Sequence, residues 1–213
     1  MTMLTQNTDK LRQEVAAHVA ADSIIQGSYW DAEYKRGCFI GCLAHANDPT
    51  INEATYGLPV MVQRIAERIF ESLPADDAKA FFAALPDAVA CDGKDLTRVG
   101  WQFLAAELRS LPEQPTEIQA VIDPVIAGMD LLASGQEWPA VDAARAARAA
   151  ASGASGAAWA AARAATADAA ARAAAWAADA ASGAARAAVR LRQRDLLLRL
   201  IAEAPVVENT NDH

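Results

Sequence analysis

Strand signals are nearly missing from this 213-residue chain. No segment alternates cleanly between apolar and polar residues, and β-branched runs are short, which excludes a sheet as the frame of the fold. Cysteine is scarce and odd in number, at Cys38, Cys42 and Cys91. The opening MTMLTQNTDKLRQEVAAH has no apolar secretory core. Together these exclude a disulfide scaffold and fit a reducing, cytoplasmic setting. No run supplies the roughly 18 strongly apolar residues of a membrane span, and the one stretch long enough carries an arginine every few residues, which makes insertion costly. Basic residues number 19 against 27 acidic ones, for a net charge of −8. That balance excludes a general DNA or RNA binder, whose surface must neutralise phosphates. A glycine-rich phosphate loop, a Ser-His-Asp set and a metalloprotease motif are also missing.

What the chain has in abundance is alanine. It inflates the hydrophobic share of 53% while burying little area, so the core must come from Leu, Ile, Val, Phe and Trp. Those residues cluster before residue 140 and again near Leu196 to Ile201. Charge divides at the same place. Residues 1–137 hold ten Lys/Arg against twenty Asp/Glu, a net of −10. Residues 138–204 hold nine Arg and no Lys against five Asp/Glu, a net of +4. The composition therefore predicts an acidic helical body over 1–137, an arginine-bearing arm over 138–204 and a disordered tail over 205–213.

Helical spacing runs throughout. Leu11, Val15 and Val19 step by four and predict a first helix from about Thr8 to Ile25. QGSYWDAEYKRG is expected as a loop or short turn, and CFIGCLAHA as a short buried helix. Thr50 with Glu53, and Thr116 with Gln119, have the spacing of capping boxes. Met61, Ile65, Ile69 and Leu73 place a helix over 59–73, ended by Pro74. Asp76 and Asp77 suit the positive end of the next helix dipole, and PDAVACDGKD is expected as a connector. Leu96, Val99, Phe103, Leu104, Leu108 and Leu111 mark another helix. Ile118, Val121, Ile122, Val125, Ile126 and Met129 mark one more, with Pro124 expected to kink or restart it. The fold class is thus all-α, a bundle of short helices with a long alanine-rich C-terminal helix or helical hairpin.

The decoration of the alanine arm is ordered. Arg145, Arg148, Ser152, Ser155, Trp159, Arg163 and Thr166 fall in one sector at about 100° per residue. After a slip of two residues, Asp168, Arg172, Trp176, Asp179, Gly183, Arg186, Arg190 and Arg194 form a second, roughly opposite stripe. The bare alanine face lets helices approach more closely than the usual 8–10 Å or so, which suits packing on the body or on a second copy. The decorated face has two readings. It is a solvated or ion-paired surface, or it is a groove in which Arg163, Arg172, Arg186 and Arg190 meet phosphate and Trp159 or Trp176 stacks on a base.

Two further segments carry reactive side chains. Cys38, Cys42 and His45 stand at i, i+4 and i+7, which would share a helix face and could hold zinc with Cys91 or Asp48. The alternatives are plain core packing, as befits free cysteine, or a thiol nucleophile at Cys42 with His45 as base. Just upstream, Trp30 and Tyr34 stand in a loop among Asp31, Lys35 and Arg36, as ligand contacts or as a cap on the apolar body.

The combination YW…GCFIGCLAH…NDP, then YGLPVMVQRIAERIFESLP, then VGWQFL, then an Ala-Trp-Ala-Ala-Arg tail, resembles a family of small proteins from phages, prophages and their bacterial hosts. The resemblance covers nearly the whole chain and implies an accessory role, such as interference with host defence, without assigning any residue a task.

The sequence expectation is a non-enzymatic binding protein without a cofactor that sequesters a small anionic, nucleotide-like molecule. Its contacts would be Trp159, Arg163, Arg172, Trp176, Arg186, Arg190, Trp30 and Tyr34. The alternatives are a protein-interaction or homo-oligomerisation module built on the alanine face, and a metal-dependent or thiol enzyme centred on Cys38, Cys42 and His45.

Overall fold

A computed structural model describes residues 4–152 and 183–207. Among the described residues there are nine helices: α1 (Thr8–Ala20), α2 (Phe39–Ala44), α3 (Pro49–Tyr56), α4 (Val60–Phe70), α5 (Ala75–Val89), α6 (Val99–Arg109), α7 (Thr116–Ala133), α8 (Ala140–Ser152) and α9 (Gly183–Glu203). One two-stranded antiparallel ribbon joins them, β1 (Trp30–Asp31) with β2 (Arg36–Gly37). The protein is an all-α bundle of short helices, as the spacing of its apolar residues predicts. No helix among the described residues is long and apolar enough to cross a membrane.

The chain divides into two compact units, but not at the change of composition near residue 137. One unit holds the residues up to Thr97 together with those from Arg194 onward, and the other holds Arg98–Gln193. Side-chain size explains the division of α9. Its alanine-rich start has little surface to bury, whereas Leu196, Leu197 and Ile201 are buried in the first unit.

In that unit Phe39, Phe70, Phe81 and Phe82 form an aromatic centre, with Phe39 ring centroids 5.3–6.1 Å from the other three. Such offset and edge-on contacts are the arrangements aromatic quadrupoles favour. Helix α4 supplies Val62, Ile65, Ile69 and Phe70 to the core. Helix α1 supplies Leu11 and Val15, but its third inward residue is His18, while Val19 is 46% exposed. The helical angle explains the exchange: seven residues after Leu11 the helix has returned to within about 20° of it, and eight residues after it stands about 80° away.

Several local signals resolve differently from the sequence expectation. Helix α1 ends at Ala20 rather than near Ile25. Asp48, not Thr50, caps α3, its carboxylate accepting from the Thr50 backbone N–H at 2.9 Å. Glu53 instead accepts from the Val60 N–H at the start of α4 (3.0 Å). Thr116 is already the first residue of α7, and Gln119 donates to Asp123 at 2.6 Å. Helix α5 runs through Pro86 to Val89, and α7 runs through Pro124 without restarting. A proline inside a helix costs about 3 kcal/mol. Burial of Leu85, Ala88 and Val89 in one case, and of Ile122, Val125 and Met129 in the other, offsets that cost.

The C-terminal segment is fastened by a buried lysine. Lys94 is 5% exposed. Its ammonium donates to the carbonyls of Ala88 (3.1 Å), Ile201 (3.2 Å) and Ala202 (2.7 Å), at the C-terminal ends of α5 and α9. Those carbonyls have no partner inside their own helices, and the helix dipole favours a cation there. On either side of Lys94, Asp95 N–H donates to Pro205 O (2.9 Å) and Val207 N–H to Gly93 O (2.8 Å). The tail expected as disordered from residue 205 is therefore backbone-paired through Val207, and residues 208–213 lie outside the described residues.

In the second unit α6 packs on α7 and α7 on α8. The indole of Trp138 lies against Gly128, where a Cβ would stand 2.1 Å from the ring. Glu107 is buried, accepts from Gln193 Nε2 at 2.6 Å and faces Arg192 at 3.2 Å. Burial holds its carboxyl above the ordinary value, against the pull of Gln193 and Arg192.

Replacing Lys94 by Met should leave the Ala88 and Ala202 carbonyls without their donor, Ile201 O keeping the Ala204 N–H at 3.3 Å, and lower unfolding stability by about 2–3 kcal/mol, read as a fall in the urea midpoint at unchanged slope. An unchanged midpoint would show that the carbonyls find other donors.

Candidate metal centre

The segment GCFIGC is built for close approach. Gly37 and Gly41 lie four residues apart, and a Cβ on either would stand 2.2 Å and 1.5 Å from the Tyr29 carbonyl oxygen. No larger residue fits there. The backbone around Tyr29 therefore lies directly on α2 and its N-terminal approach, and Cys38 N–H donates to the carbonyls of Ser28 (2.8 Å) and Tyr29 (3.1 Å). The base of this segment is tied to α4. Gln26 Nε2 donates to the carbonyls of Phe70 (2.6 Å) and Leu73 (2.9 Å), and Gly27 N–H donates to Glu71 (2.8 Å).

This seating delivers Trp30, at the start of β1, onto two imidazoles. Its indole stacks on His45 with centroids 4.7 Å apart and planes at 25°. It meets His18 edge-on, with centroids 5.9 Å apart and planes at 89°. His45 follows α2 in the left-handed region (φ 51°), its N–H bonded to Gly41 O at 2.8 Å. That turn ends the helix and carries the ring away from the face of Cys38 and Cys42. Its Nε2 comes to 3.2 Å from His18 Nε2 and 3.8 Å from a Glu14 carboxylate oxygen. Glu14 and His18 are four apart on α1, hence neighbours on its surface.

Among the described residues, Glu14, His18 and His45 are the group whose ligand atoms converge, all within 4.8 Å of one another. The spacing has a direct chemical meaning. Two imidazole nitrogens on one tetrahedral zinc, each bonded at about 2.05 Å, stand about 3.3 Å apart, and His18 and His45 are already there. Glu14 stands 3.8 Å from His45 and within 4.8 Å of His18, so it must close by roughly 0.5 Å on the first and by up to about 1.5 Å on the second to match. Its side chain is 29% exposed and that of His45 50%, so one flank is open to solvent while His18 is buried. His18 Nδ1 lies 2.7 Å from Ser23 Oγ, the outer partner that ligating histidines generally have. Burial, then the neighbouring His45, holds the His18 pKa below its ordinary 6.5, with Glu14 and the Cys42 backbone pulling the other way.

The cysteines take no part. Cys38 is the residue before α2, and its thiol donates to Glu67 at 3.3 Å. The Cys42 thiol donates to Gly37 O at 3.2 Å. Burial pushes both thiols up to about 12, so neither is a thiolate nucleophile at neutral pH. Of the Cys38, Cys42 and His45 set, only His45 belongs to a group of three ligating side chains among the described residues. The expected i, i+4, i+7 face fails because α2 stops at Ala44. Cys91 is exposed.

The remaining expected contacts are scattered. Trp30 is in the site. Tyr34 is at the tip of the ribbon, 63% exposed, under the Arg36 guanidinium at 4.9 Å. Asp31 shapes that tip by accepting from the N–H groups of Glu33 and Tyr34, both at 3.1 Å. Arg186 is exposed on α9, and Arg190 is buried, donating to Gln193 at 3.3 Å. Trp159, Arg163, Arg172 and Trp176 lie outside the described residues. Glu14, His18 and Ser23 are residues that sequence reasoning missed. The available signal was Glu14 and His18 at i, i+4 on a helix whose inward phase falls on His18.

Two measurements check this geometry. Gly41→Ala should cost about 3 kcal/mol by overpacking against Tyr29, and the His45 ring protons, shifted by the stacked indole, should move toward free-histidine positions in NMR spectra. A thiol reagent at pH 8 should modify Cys91 alone in the folded chain and all three cysteines in urea; rapid labelling of Cys42 in the folded state would contradict the burial. No family model, curated protein or solved structure matches this chain.

Proposed function

We propose that this protein binds a divalent transition-metal ion of the zinc class through Glu14, His18 and His45. The observation that carries this reading is the pair of imidazole Nε2 atoms 3.2 Å apart with a carboxylate beside them. Two nitrogens and one oxygen suit zinc, cobalt or nickel better than magnesium or calcium, which prefer all-oxygen sites. Three protein ligands leave a coordination position on the open flank, where water or an exogenous donor completes the shell. An anionic donor is favoured there by the charge of the ion. The small anionic ligand expected from the sequence thus becomes the second partner of a bound cation rather than a guest of the arginine arm. The role is binding, with Trp30 shielding one side of His45.

Calorimetric titration of the metal-free chain with zinc should give one site per chain. His18→Ala and His45→Ala should each lose more than the roughly 10–100-fold that removal of an outer-shell partner costs. Ligation needs neutral imidazole, and His18 is held below 6.5, so protons compete only as the pH falls. Affinity should be level between about pH 8 and 7 and decline below about 6.5. Absence of uptake at pH 8, or equal affinity in the two alanine variants, would remove the proposal.

A further inference from the structure

We infer that Ser23 is a positioning residue that holds His18 in the Nδ1–H tautomer, so that the Nε2 lone pair faces His45 and Glu14 before any metal arrives. The purpose of this device rests on the metal reading, but its geometry does not.

Ser23 stands five residues after His18, just past the end of α1. Asp22 adopts the left-handed region (φ 47°) and turns the chain back toward the last turn of the helix. Ser23 N–H then donates to His18 O at 3.1 Å, and its own carbonyl accepts from Gly37 N–H at 3.0 Å. The residue is thus pinned at both ends of its backbone, and it is buried. Its hydroxyl has one proton, and the His18 carbonyl oxygen at 3.3 Å is within its reach. The oxygen lone pairs remain, and His18 Nδ1 is 2.7 Å from them. With the hydroxyl proton given to that carbonyl, the nitrogen that faces the lone pair carries the hydrogen. A neutral imidazole has a single N–H, so His18 Nε2 is left as an acceptor.

The contact across the site follows. His18 Nε2 and His45 Nε2 are 3.2 Å apart, and one of the two must donate. With His18 as acceptor, His45 supplies the N–H, and a single proton occupies the space between two nitrogens that a metal ion would bridge. Uptake of an ion would require the His45 proton to leave Nε2 and, by way of solvent, a proton to be taken up at His45 Nδ1, so that both rings ligate as neutral imidazoles with no net proton released, and His18 would need no reorientation. Trp30, stacked on His45, orients the plane of the second ring. A ligand ordered in advance loses less freedom on binding.

The test has two readouts. Long-range proton–nitrogen NMR of the metal-free full chain at pH 8, with the three histidines assigned by single substitution, should show His18 protonated at Nδ1 and bare at Nε2. The opposite tautomer overturns the inference. Cobalt(II) titration should then show Ser23→Ala weaker by roughly 10–100-fold, with Ser23→Thr restoring affinity and the absorption spectrum of bound cobalt unchanged in position. Wild-type affinity in Ser23→Ala also overturns it. Should the alanine variant fail to fold, the tautomer in the wild-type chain decides. A wild-type chain that takes up no cobalt but shows Nδ1–H at His18 supports the positioning and removes the metal reading.

Discussion

The close contact of the Tyr29 carbonyl with Gly37 and Gly41 is the constraint on which the site depends. Two absent side chains let a loop backbone lie directly on a short helix. That contact fixes the start of the ribbon, and the ribbon carries Trp30 to a definite place over His45. Gln26 and Glu71 secure the other end of the loop to α4. A segment of mostly irregular backbone is thereby held in place, because its polar groups find partners in the protein.

The same six residues, GCFIGC, separate two chemistries that the sequence places side by side. The cysteines turn into the core, where their thiols donate to a carboxylate and a carbonyl and stay protonated. The histidine three residues further on leaves by a left-handed turn and joins α1 at the surface. Helix length decides this: one more turn of α2 would have kept Cys42 and His45 on a common face. The shorter helix instead pairs His45 with His18, and the resulting two nitrogens and one oxygen form a half-open group with the donor character of a borderline metal site.

Buried charge elsewhere serves cohesion. Lys94 satisfies carbonyls at two helix ends within the first unit, and Glu107 meets Gln193 and Arg192 within the second. In each case a polar group taken from water recovers its partners from the ends or flanks of helices. The arginine-bearing face of α9 shows the same economy of partners. Arg190 is buried beside Gln193, and Arg194 reaches Asp77 at 3.4 Å. On the described part of the arm, these arginines serve internal pairing.

Local sequence was sufficient for the all-α class, for the core helix α4 and for the short buried helix α2. Each rests on apolar periodicity or on punctuation by Gly and Pro, which act within a few residues. Local sequence was also enough to mark GCFIGC, Trp30 and His45 as unusual. It was not enough for the ends of α1 and α2, the caps of α3 and α7, or the passage of α5 and α7 through proline, because burial against distant residues outweighed local propensity there. The partnership of Glu14 and His18 with His45 belongs wholly to tertiary structure. A helix phase differing by one residue puts His18 inward, and only the packing of α1 beside α2 brings its nitrogen within 3.2 Å of a ring 27 positions away.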